Sequence, residues 1–441
     1  MKKPEKPETD WFSVLKDPET FRKVLIHASS PIHKGKYIHW EKTKYQESPK
    51  GLSRKEWWAA LKIARSGQLR EVPLYDISKK CFKFSLPDPA LEYLHHIDQG
   101  AGGHIEMLGD GTTNPRIRDR YIAHSLIEEA ITSSQLEGAT TTRKVAKEML
   151  RLNRKPLNKG EQMIVNNYKT MRLIRERAEL RLSKELVLEL HRYLTENTLE
   201  DAATVGRFRK KNEDIKVYET ASNEILYIPP PAGELEKRIE TMCKFANEEI
   251  PKYFIHPVIR AIILHFWLAY DHPFVDGNGR CARALFYWYM LRKKYWLFEF
   301  ISISQIIKEG PSKYGRAFLY TESDDNDLTY FILYHLKIVT RAIEALHDYI
   351  AWKTKTIHQA ELLLRKSSID LNYRQIALLS HSLRNQDFIY TVRSHKNSHK
   401  IAYETARSDL FDLVTKGFME KQKRGKTYEF HPIKDLAEQV S

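Results

Sequence analysis

Apolar side chains recur at helical spacing over most of the chain between about residue 115 and residue 352. Segments with this spacing lie at 119–136, 142–152, 159–178, 183–199, 232–249, 256–270, 279–293, 302–307, 311–321 and 326–352. Residues 216–228 (KVYETASNEILYI) break the pattern and are typical of two short strands around Ala221-Ser222-Asn223. Pro229-Pro230-Pro231 ends this hairpin and places proline in the first turn of the next helix. The sequence therefore predicts an all-helical core that carries one β-hairpin.

The segment before this helical block has a mixed character. Residues 53–63 (SRKEWWAALKI) combine a serine cap, early charge and the apolar spacing of a short helix. Residues 69–84 alternate weakly, as strands do. A glycine cluster follows, and it predicts a domain boundary: Gly100, Gly102, Gly103, Gly109 and Gly111. We expect a mixed α/β domain over 1–112, whose role the sequence does not indicate, and a helical domain over 113–352.

The pattern changes again after residue 352. Helices are predicted at 357–366, 373–384 and 402–416, followed by Gly417, a strand, a Lys-Arg-Gly-Lys turn at 423–426 and a second strand at 427–431. Three helices followed by a basic two-stranded ribbon is the order of a winged helix-turn-helix. We therefore predict a third domain over 353–441.

Composition limits the classes of protein that this chain can belong to. It has 72 Lys and Arg against 57 Asp and Glu, a net charge of +15, which favours a nucleic acid, an anionic surface or a phosphorylated substrate as partner. The most apolar stretch, residues 261–270, is far shorter than the roughly 20 residues of a membrane span. Three widely separated cysteines suit a reducing compartment. We expect a cytoplasmic protein that does not enter a membrane.

The densest group of reactive residues is HPFVDGNGRCAR at 272–283. Its His-Pro step ends the preceding helix. Glycines on both sides of Asn278 tolerate positive φ and allow backbone N–H groups to converge on an anion. A new helix begins there and directs its N-terminus into the loop, and Arg280 and Arg283 project from one face of it. The segment predicts a phosphate-binding loop.

Two side chains of this loop suit catalysis. Asp276 offers the carboxylate oxygens that Mg²⁺ takes together with substrate phosphates. His272 is the residue type best suited to general-base work near neutral pH. The sequence therefore favours chemistry on a phosphorylated substrate.

The loop resembles the signature of the Fic family, HPFx(D/E)GNGRxxR, and matches it at every defined position. The helical block and its hairpin resemble the rest of a Fic domain. Most members transfer AMP from Mg-ATP to a Ser, Thr or Tyr hydroxyl of a target protein. The resemblance implies that His272 deprotonates the target hydroxyl and that Asp276 holds Mg²⁺ on the α- and β-phosphates. It also implies ATP as the donor and a protein as the acceptor, with automodification as one case.

The resemblance assigns roles to the remaining loop residues. The backbone amides expected to bind phosphate oxygens are those of Gly277, Asn278 and Gly279. Arg280 and Arg283 are expected to clamp the outer phosphates, and Phe274 to anchor the loop in the core. The hairpin 216–228 resembles the family's flap, which positions the target side chain by strand pairing; an ordinary surface hairpin is the alternative.

A second segment resembles the inhibitory motif of the same family, (S/T)xxxE(G/N). Ser133, Glu137 and Gly138 match it in SSQLEG, about 135 residues before the loop. The resemblance implies that the Glu137 carboxylate occupies the donors of Arg283. ATP would then bind only in a pose unfit for in-line attack. We therefore expect a self-inhibited enzyme; whether Glu137 also assists removal of AMP stays open.

The C-terminal segment holds much of the positive charge. Residues 353–431 contain 15 Lys and Arg against 8 Asp and Glu. Residues 403–410 (YETARSDL) resemble the start of a bacterial recognition helix, TAxRDLxxL, except that Ser408 stands where the pattern has aspartate. The basic residues predicted in the wing are Lys421, Lys423, Arg424 and Lys426. DNA and protein both stay open as partners of this domain.

Three functions therefore remain under consideration. The leading one is a self-inhibited protein adenylyltransferase. The second is a DNA-binding regulator whose Fic domain senses nucleotide, and the third is a Fic-type transferase that uses another phosphorylated donor. The sequence does not identify the target protein. A homo-oligomer is expected, although nothing in the chain establishes its size.

Overall fold

The protein is described by a computed structural model. The described residues are 3–7, 11–102, 115–152, 154–213, 215–218, 224–366, 370–384, 388–424, 427–433 and 436. They are mostly helical, as predicted, and form two compact units, Met1–Glu344 and Ala345–Ser441. The predicted boundary at residue 112 lies outside the described residues, as do three of the glycines expected to mark it: Gly103, Gly109 and Gly111.

The first unit contains most of the helices. Its α-helices are α1 (Pro18–His27), α2 (Trp40–Thr43), α3 (Arg54–Ser66), α4 (Asp88–Gly102), α5 (Pro115–Leu136), α6 (Arg143–Leu152), α7 (Lys159–Glu176), α8 (Lys184–Thr195), α9 (Leu235–Ala246), α10 (Pro257–Asp271), α11 (Asn278–Arg292), α12 (Ile303–Lys308), α13 (Pro311–Ser323) and the first half of α14 (Thr329–Lys366). Short 3-10 turns lie at Trp11–Lys16, Ala202–Thr204, Ala232–Glu234 and Trp296–Glu299. Within the described residues, no helix is long and apolar enough to cross a membrane.

Two small antiparallel hairpins complete this unit. Strands β1 (Arg70–Tyr75) and β2 (Cys81–Phe84) pair with each other. Strands β3 (Val217–Tyr218) and β4 (Ile225–Tyr227) form the hairpin that the sequence predicts within the helical block. The predicted turn residues of that hairpin, 221–223, lie outside the described residues.

The N-terminal residues pack onto the helical block within one unit. Helix α3 begins at Ser53, whose side chain and that of Glu56 form a reciprocal capping box. The buried ammonium of Lys62 on this helix lies 2.8 Å from an Asp324 carboxylate oxygen. Arg65, one turn later, donates to the hydroxyl of Tyr330 at 3.0 Å. Buried charges are costly unless paired, so these contacts fix α3 against the turn between α13 and α14.

Helices α10 and α11 form the centre of the unit and position the candidate site. Nearly every residue of both helices is buried, including the two tryptophans, Trp267 and Trp288. Helices that are buried around nearly their whole circumference are surrounded by other elements. The 272–277 connection between α10 and α11 is therefore held at both ends by the most buried elements of the fold.

The second unit is a small module with its own core. The elements after α14 are α15 (Tyr373–Arg384), α16 (Val392–His399), α17 (Tyr403–Thr415), β5 (Met419–Arg424) and β6 (Thr427–Pro432). Strands β5 and β6 pair antiparallel along their full length, and Leu410 and Phe430 are wholly buried in the core. Three helices, α15 to α17, precede the ribbon, and α15 and α17 are the two of them that the sequence predicts. The predicted wing residue Lys426 lies outside the described residues.

The helices of this region differ from the prediction in two ways. The predicted helices 326–352 and 357–366 are one helix, α14, because no glycine or proline interrupts residues 329–366. The polar segment VRSHKNSH forms the unpredicted helix α16, whose start is fixed by a capping box between Thr391 and Ser394.

Candidate active site

The connection between α10 and α11 has a tightly fixed backbone. His272 ends α10 in the left-handed conformation, with φ of 46°. The side chain of Asn278 accepts from the Phe274 amide and donates to the Phe274 carbonyl, each at 2.9 Å. The Asn278 side chain thus closes the loop from within, while the Phe274 ring is wholly buried beneath it, as expected of an anchor.

The two loop glycines are required for different reasons. Gly277 has φ of 84°, the left-handed region that the sequence pattern predicts. Gly279 lies in the first turn of α11, outside that region, so the expectation of a positive φ does not hold for it. A Cβ atom at Gly279 would instead overlap the carboxylate of Glu137. The missing side chain makes room for an anion at this position.

The N-terminus of α11 opens into this space. Its first amides have no partner within the helix, and no side chain caps them. The amides of Asn278 and Gly279 are in this group, whereas the Gly277 amide donates to the carboxylate of Asp276. The positive end of the helix dipole therefore faces the loop, as the phosphate-binding interpretation requires.

His272 is arranged to act as a base. Its Nδ1 lies 3.3 Å from the Ala269 carbonyl oxygen, so Nδ1 carries the hydrogen and the Nε2 lone pair is free to accept a proton. Burial lowers the pKa of His272 below its ordinary value. The carboxylates of Glu137 and Asp276 oppose that shift, and the charge of Arg209 adds to it. The ring is therefore neutral at pH 7.

Asp276 presents an accessible carboxylate beside the helix N-terminus. Its side chain is 47% exposed, and one oxygen lies 3.6 Å from Arg280 Nη2. Arg280 itself is buried and donates from Nη1 to the Leu194 carbonyl at 2.9 Å. Its Nε and Nη2 have no hydrogen-bond partner among the described residues. Two buried cationic N–H groups without acceptors make this a place where an anion would be stabilised.

Arg283, one turn further along α11, is bound by the segment that the sequence predicts to be inhibitory. Its Nε donates to Ser133 Oγ at 2.8 Å, and Nη2 donates to the Ser133 carbonyl at 3.0 Å. Nη2 also donates to Glu137 Oε1 at 2.9 Å. Gly138, with φ of 91°, then turns the chain away from the end of α5. The structure thus brings the three predicted inhibitory residues together around Arg283.

Helix α5, which carries these residues, is anchored by a buried carboxylate. Glu129 accepts hydrogen bonds from Tyr287 on α11 and from Ser302 before α12, at 2.9 and 2.7 Å. The hydroxyl and amide of Ser304 donate to the same carboxylate. With α5 anchored in this way, movement of the Glu137 side chain breaks only its own hydrogen bond to Arg283, and the two bonds to Ser133 stay.

His191 on α8 supports the loop and was not identified from the sequence. Its ring stacks on Phe274 with centroids 3.8 Å apart. The Gly206 amide donates to Nδ1, so Nε2 carries the hydrogen and donates to the Asp276 carbonyl at 3.0 Å. Burial lowers the pKa of His191 to about 4. Its position on the apolar face of α8 is the signal that could have revealed it.

Arg209 and Tyr314 were also missed. Arg209 donates to the His272 carbonyl at 2.8 Å. The hydroxyl of Tyr314 on α13 lies 2.8 Å from His265 Nε2. His265, which the sequence places on an apolar helix, is wholly buried. Nothing in the sequence distinguishes Arg209 from the other basic residues.

The hairpin lies against the end of α10. The hydroxyl of Tyr227 on β4 donates to the Tyr270 carbonyl at 2.9 Å, two residues before His272. Tyr218 on β3 is half exposed. Among the described residues, this partly buried hydrogen bond links the hairpin to the last turn of α10.

Comparison with known proteins identifies this region. Residues 181–290, which contain α8 to α11 and the hairpin, match the profile of the Fic/DOC family. The Protein adenylyltransferase Fic of Drosophila sechellia is 34% identical over 109 residues, which are 25% of this chain and 20% of that protein. The enzyme of the same name from Drosophila ananassae is 28% identical over 180 residues, 41% of this chain and 31% of that protein. The chain thus spans less than a third of the length of these relatives.

The fold has a counterpart among solved structures. A Fic family protein from Desulfovibrio desulfuricans G20 superposes with a TM-score of 0.51 and 18% sequence identity. The superposition covers 79% of this chain and 97% of that one. The likeness concerns the fold alone. It covers much more of this chain than residues 181–290, the part that matches the family profile.

Proposed function

Because residues 181–290 form a Fic domain, we propose that this protein transfers AMP from ATP to a Ser, Thr or Tyr hydroxyl of a target protein and that it inhibits itself. The observation that carries the proposal is the position of Glu137. Its carboxylate is bound to Arg283 and lies against Gly279 at the uncapped end of α11. An anion-binding site next to His272 is already filled by an anion from the chain itself.

The proposed transfer uses the residues of the loop in defined roles. His272 Nε2 accepts the proton of the target hydroxyl, and that oxygen forms a bond to the α-phosphorus of ATP. The bond from the α-phosphorus to the bridging oxygen breaks, and pyrophosphate leaves with the electron pair. The amides of Asn278 and Gly279 and the positive end of α11 stabilise the negative charge on the phosphate oxygens. The Nε and Nη2 groups of Arg280, which have no partner among the described residues, do the same for the outer phosphates, as does Arg283 once Glu137 has left it.

The loop also fits a magnesium ion. Mg²⁺ takes one or two carboxylates together with substrate phosphates, and the Asp276 carboxylate is accessible beside the helix N-terminus. Asp276 would hold the ion, which neutralises charge on the phosphates when bound. The His191 ring supports this role because it fixes the Asp276 backbone.

A nucleotide-labelling experiment tests the proposed reaction. The Glu137→Gly variant is incubated with Mg²⁺, cell lysate and ATP labelled either on the α-phosphate or on the γ-phosphate. We expect protein-bound label from the α-position alone, and none in the Glu137→Gly/His272→Ala double variant. Label from the γ-position would contradict AMP transfer. Label from neither would favour another phosphorylated donor or a purely regulatory role.

The hairpin is the proposed docking element for the target. Its strands are short, and Tyr227 of β4 donates a hydrogen bond to the Tyr270 carbonyl, two residues before His272. A target segment that pairs with the hairpin would thereby be aligned with His272. Shortening residues 219–223 is expected to raise KM for the target and to leave KM for ATP unchanged.

A second candidate function, DNA binding, concerns the C-terminal unit. Among the described residues of α16, α17 and the ribbon and of the turn after α16, the exposed charged side chains are predominantly basic: Arg393, Lys396, Lys400, Arg407, Lys421, Lys423 and Arg424, beside Glu404 and Glu420. Such a surface favours contacts to phosphates. If DNA is the partner, the logarithm of the affinity for duplex DNA falls linearly with the logarithm of salt concentration, with a slope that Lys421→Ala reduces by about 1. A flat salt response would favour a protein partner. A cytoplasmic location and a homo-oligomeric state remain predictions.

A further inference from the structure

Arg209 binds the backbone of the catalytic loop through its side chain and its amide. It lies just after the 202–204 turn, and its buried guanidinium donates from Nε to the His272 carbonyl at 2.8 Å. Nη2 donates to the Pro230 carbonyl and lies 3.4 Å from the Asp271 carbonyl. The Arg209 amide donates to the Pro273 carbonyl at 2.8 Å. One residue thus binds three consecutive carbonyls of the loop and one carbonyl beyond the hairpin.

This arrangement differs from that of an ordinary buried arginine. Within the described residues, no carboxylate forms an ion pair with Arg209, and the nearby Asp271 carboxylate is bound by Arg238 and Trp267. A buried cation that is held only by neutral carbonyls is not favoured by its charge alone. Its retention here requires another reason.

The backbone of His272 supplies that reason. Residue 272 has φ of 46°, in the left-handed region that non-glycine residues adopt only uncommonly. Carbonyls turned outward at such a position need donors. Arg209 provides them on both sides of the His272 α-carbon, at residues 271, 272 and 273.

We propose that Arg209 is a positioning residue, which holds His272 in its left-handed conformation and joins the catalytic loop to the end of the hairpin at Pro230. The assignment rests on the proposed function, because it concerns the base of that reaction. Arg209 does not touch the reacting atoms. It determines the orientation of the His272 imidazole and the position of the hairpin relative to the loop.

The charge of Arg209 has a second effect on the same imidazole. The groups that face His272 are the carboxylates of Glu137 and Asp276, the Ala269 carbonyl and Arg209. The first three raise the pKa of His272, whereas burial and the Arg209 charge lower it. Removal of this charge without a replacement favours the imidazolium, so the pKa of His272 rises. Lysine would retain the charge and could not bind all of the carbonyls.

Two variants separate these effects in the Glu137→Gly background. Arg209→Lys is expected to keep the wild-type pKa of His272 but to lower kcat by about 100-fold, since displacement of a reacting group by about 1 Å costs that much. Arg209→Gln is expected to lower kcat similarly and also to raise the pKa of His272, which moves the acid limb of the pH profile upward. In both variants KM for the target rises and KM for ATP is unchanged.

The pKa of His272 is measured by NMR titration of the ring protons, which requires no activity. Arg207→Gln is the matched control, because Arg207 lies two residues away and pairs with Glu213. It should leave kcat and the pKa of His272 unchanged. Wild-type kcat and an unchanged His272 pKa in both Arg209 variants would overturn the proposal. So would an equal loss in Arg207→Gln. If the parent protein transfers no AMP, the proposed function fails, and the titration still tests the effect of Arg209 on His272.

Discussion

Removal of the Glu137 carboxylate is the perturbation with the largest predicted effect on activity. The side chain makes one charge-assisted hydrogen bond, to Arg283 Nη2 at 2.9 Å, and fills the space beside Gly279. A hydrogen bond to a charged group contributes about 1.5–3 kcal/mol. ATP must displace this contact to reach Arg283, and at about 1.4 kcal/mol per factor of ten the penalty corresponds to about 10- to 100-fold in activity.

The assay compares initial rates of AMP incorporation for wild type, Glu137→Gln and Glu137→Gly at the same ATP and Mg²⁺ concentrations. Glu137→Gly should be about 10- to 100-fold faster than wild type. Glu137→Gln keeps the shape and one acceptor but loses the charge, so it should fall between the two. Position 137 follows the last residue of α5, and glycine there does not interrupt the helix.

The reasoning would be refuted if wild type and Glu137→Gly had equal rates while both lost activity with His272→Ala. It would also be refuted if Glu137→Gln were fully activated and Glu137→Gly were not. Either result would mean that the contact with Arg283 does not restrict ATP binding.

Three further predictions concern stability. Gly277→Ala should lower the free energy of unfolding by about 1–2 kcal/mol in denaturant titrations, because φ is 84° and the new methyl group would lie 2.7 Å from a methyl group of α8. The control Gly67→Ala should not lower it, because Gly67 has right-handed geometry and open space around it. Ser133→Ala removes the acceptor of Arg283 Nε and should cost about 1.5–3 kcal/mol by the same measurement. Burial raises the pKa of Glu322 to about 8 from 4.5, so the folded state retains a proton that the unfolded chain releases, and stability falls as pH rises through this interval. Glu322→Gln should flatten the decrease in melting temperature between pH 5 and pH 8, and an unchanged slope would exclude this residue as the cause.

Much of the loop could be predicted because its chemistry is local. The left-handed glycine at 277, the helix that begins at 278 and the burial of Phe274 all follow from residues within a few positions of each other. The role of Gly279 could not be predicted from its neighbours, since the atom that requires a glycine there belongs to Glu137, about 140 residues earlier.

The supporting residues depend on tertiary structure that a sequence pattern does not contain. Arg209 binds backbone carbonyls. Because every residue has such a carbonyl, the sequence does not indicate which positions Arg209 contacts. His191 is recognisable only as a polar residue on an apolar face. Helix α16 was missed because its residues are almost all polar, so apolar periodicity is absent and only the Thr391 cap indicates its start.

The central claim, that this loop transfers AMP to protein hydroxyls, is tested most directly by mass spectrometry. The Glu137→Gly protein is incubated with Mg²⁺, ATP and cell lysate, and peptides are searched for an added AMP group. The account predicts AMP esterified to Ser, Thr or Tyr side chains, and its absence when His272→Ala is added. Modified peptides that persist without His272, or a modification other than AMP, would contradict it.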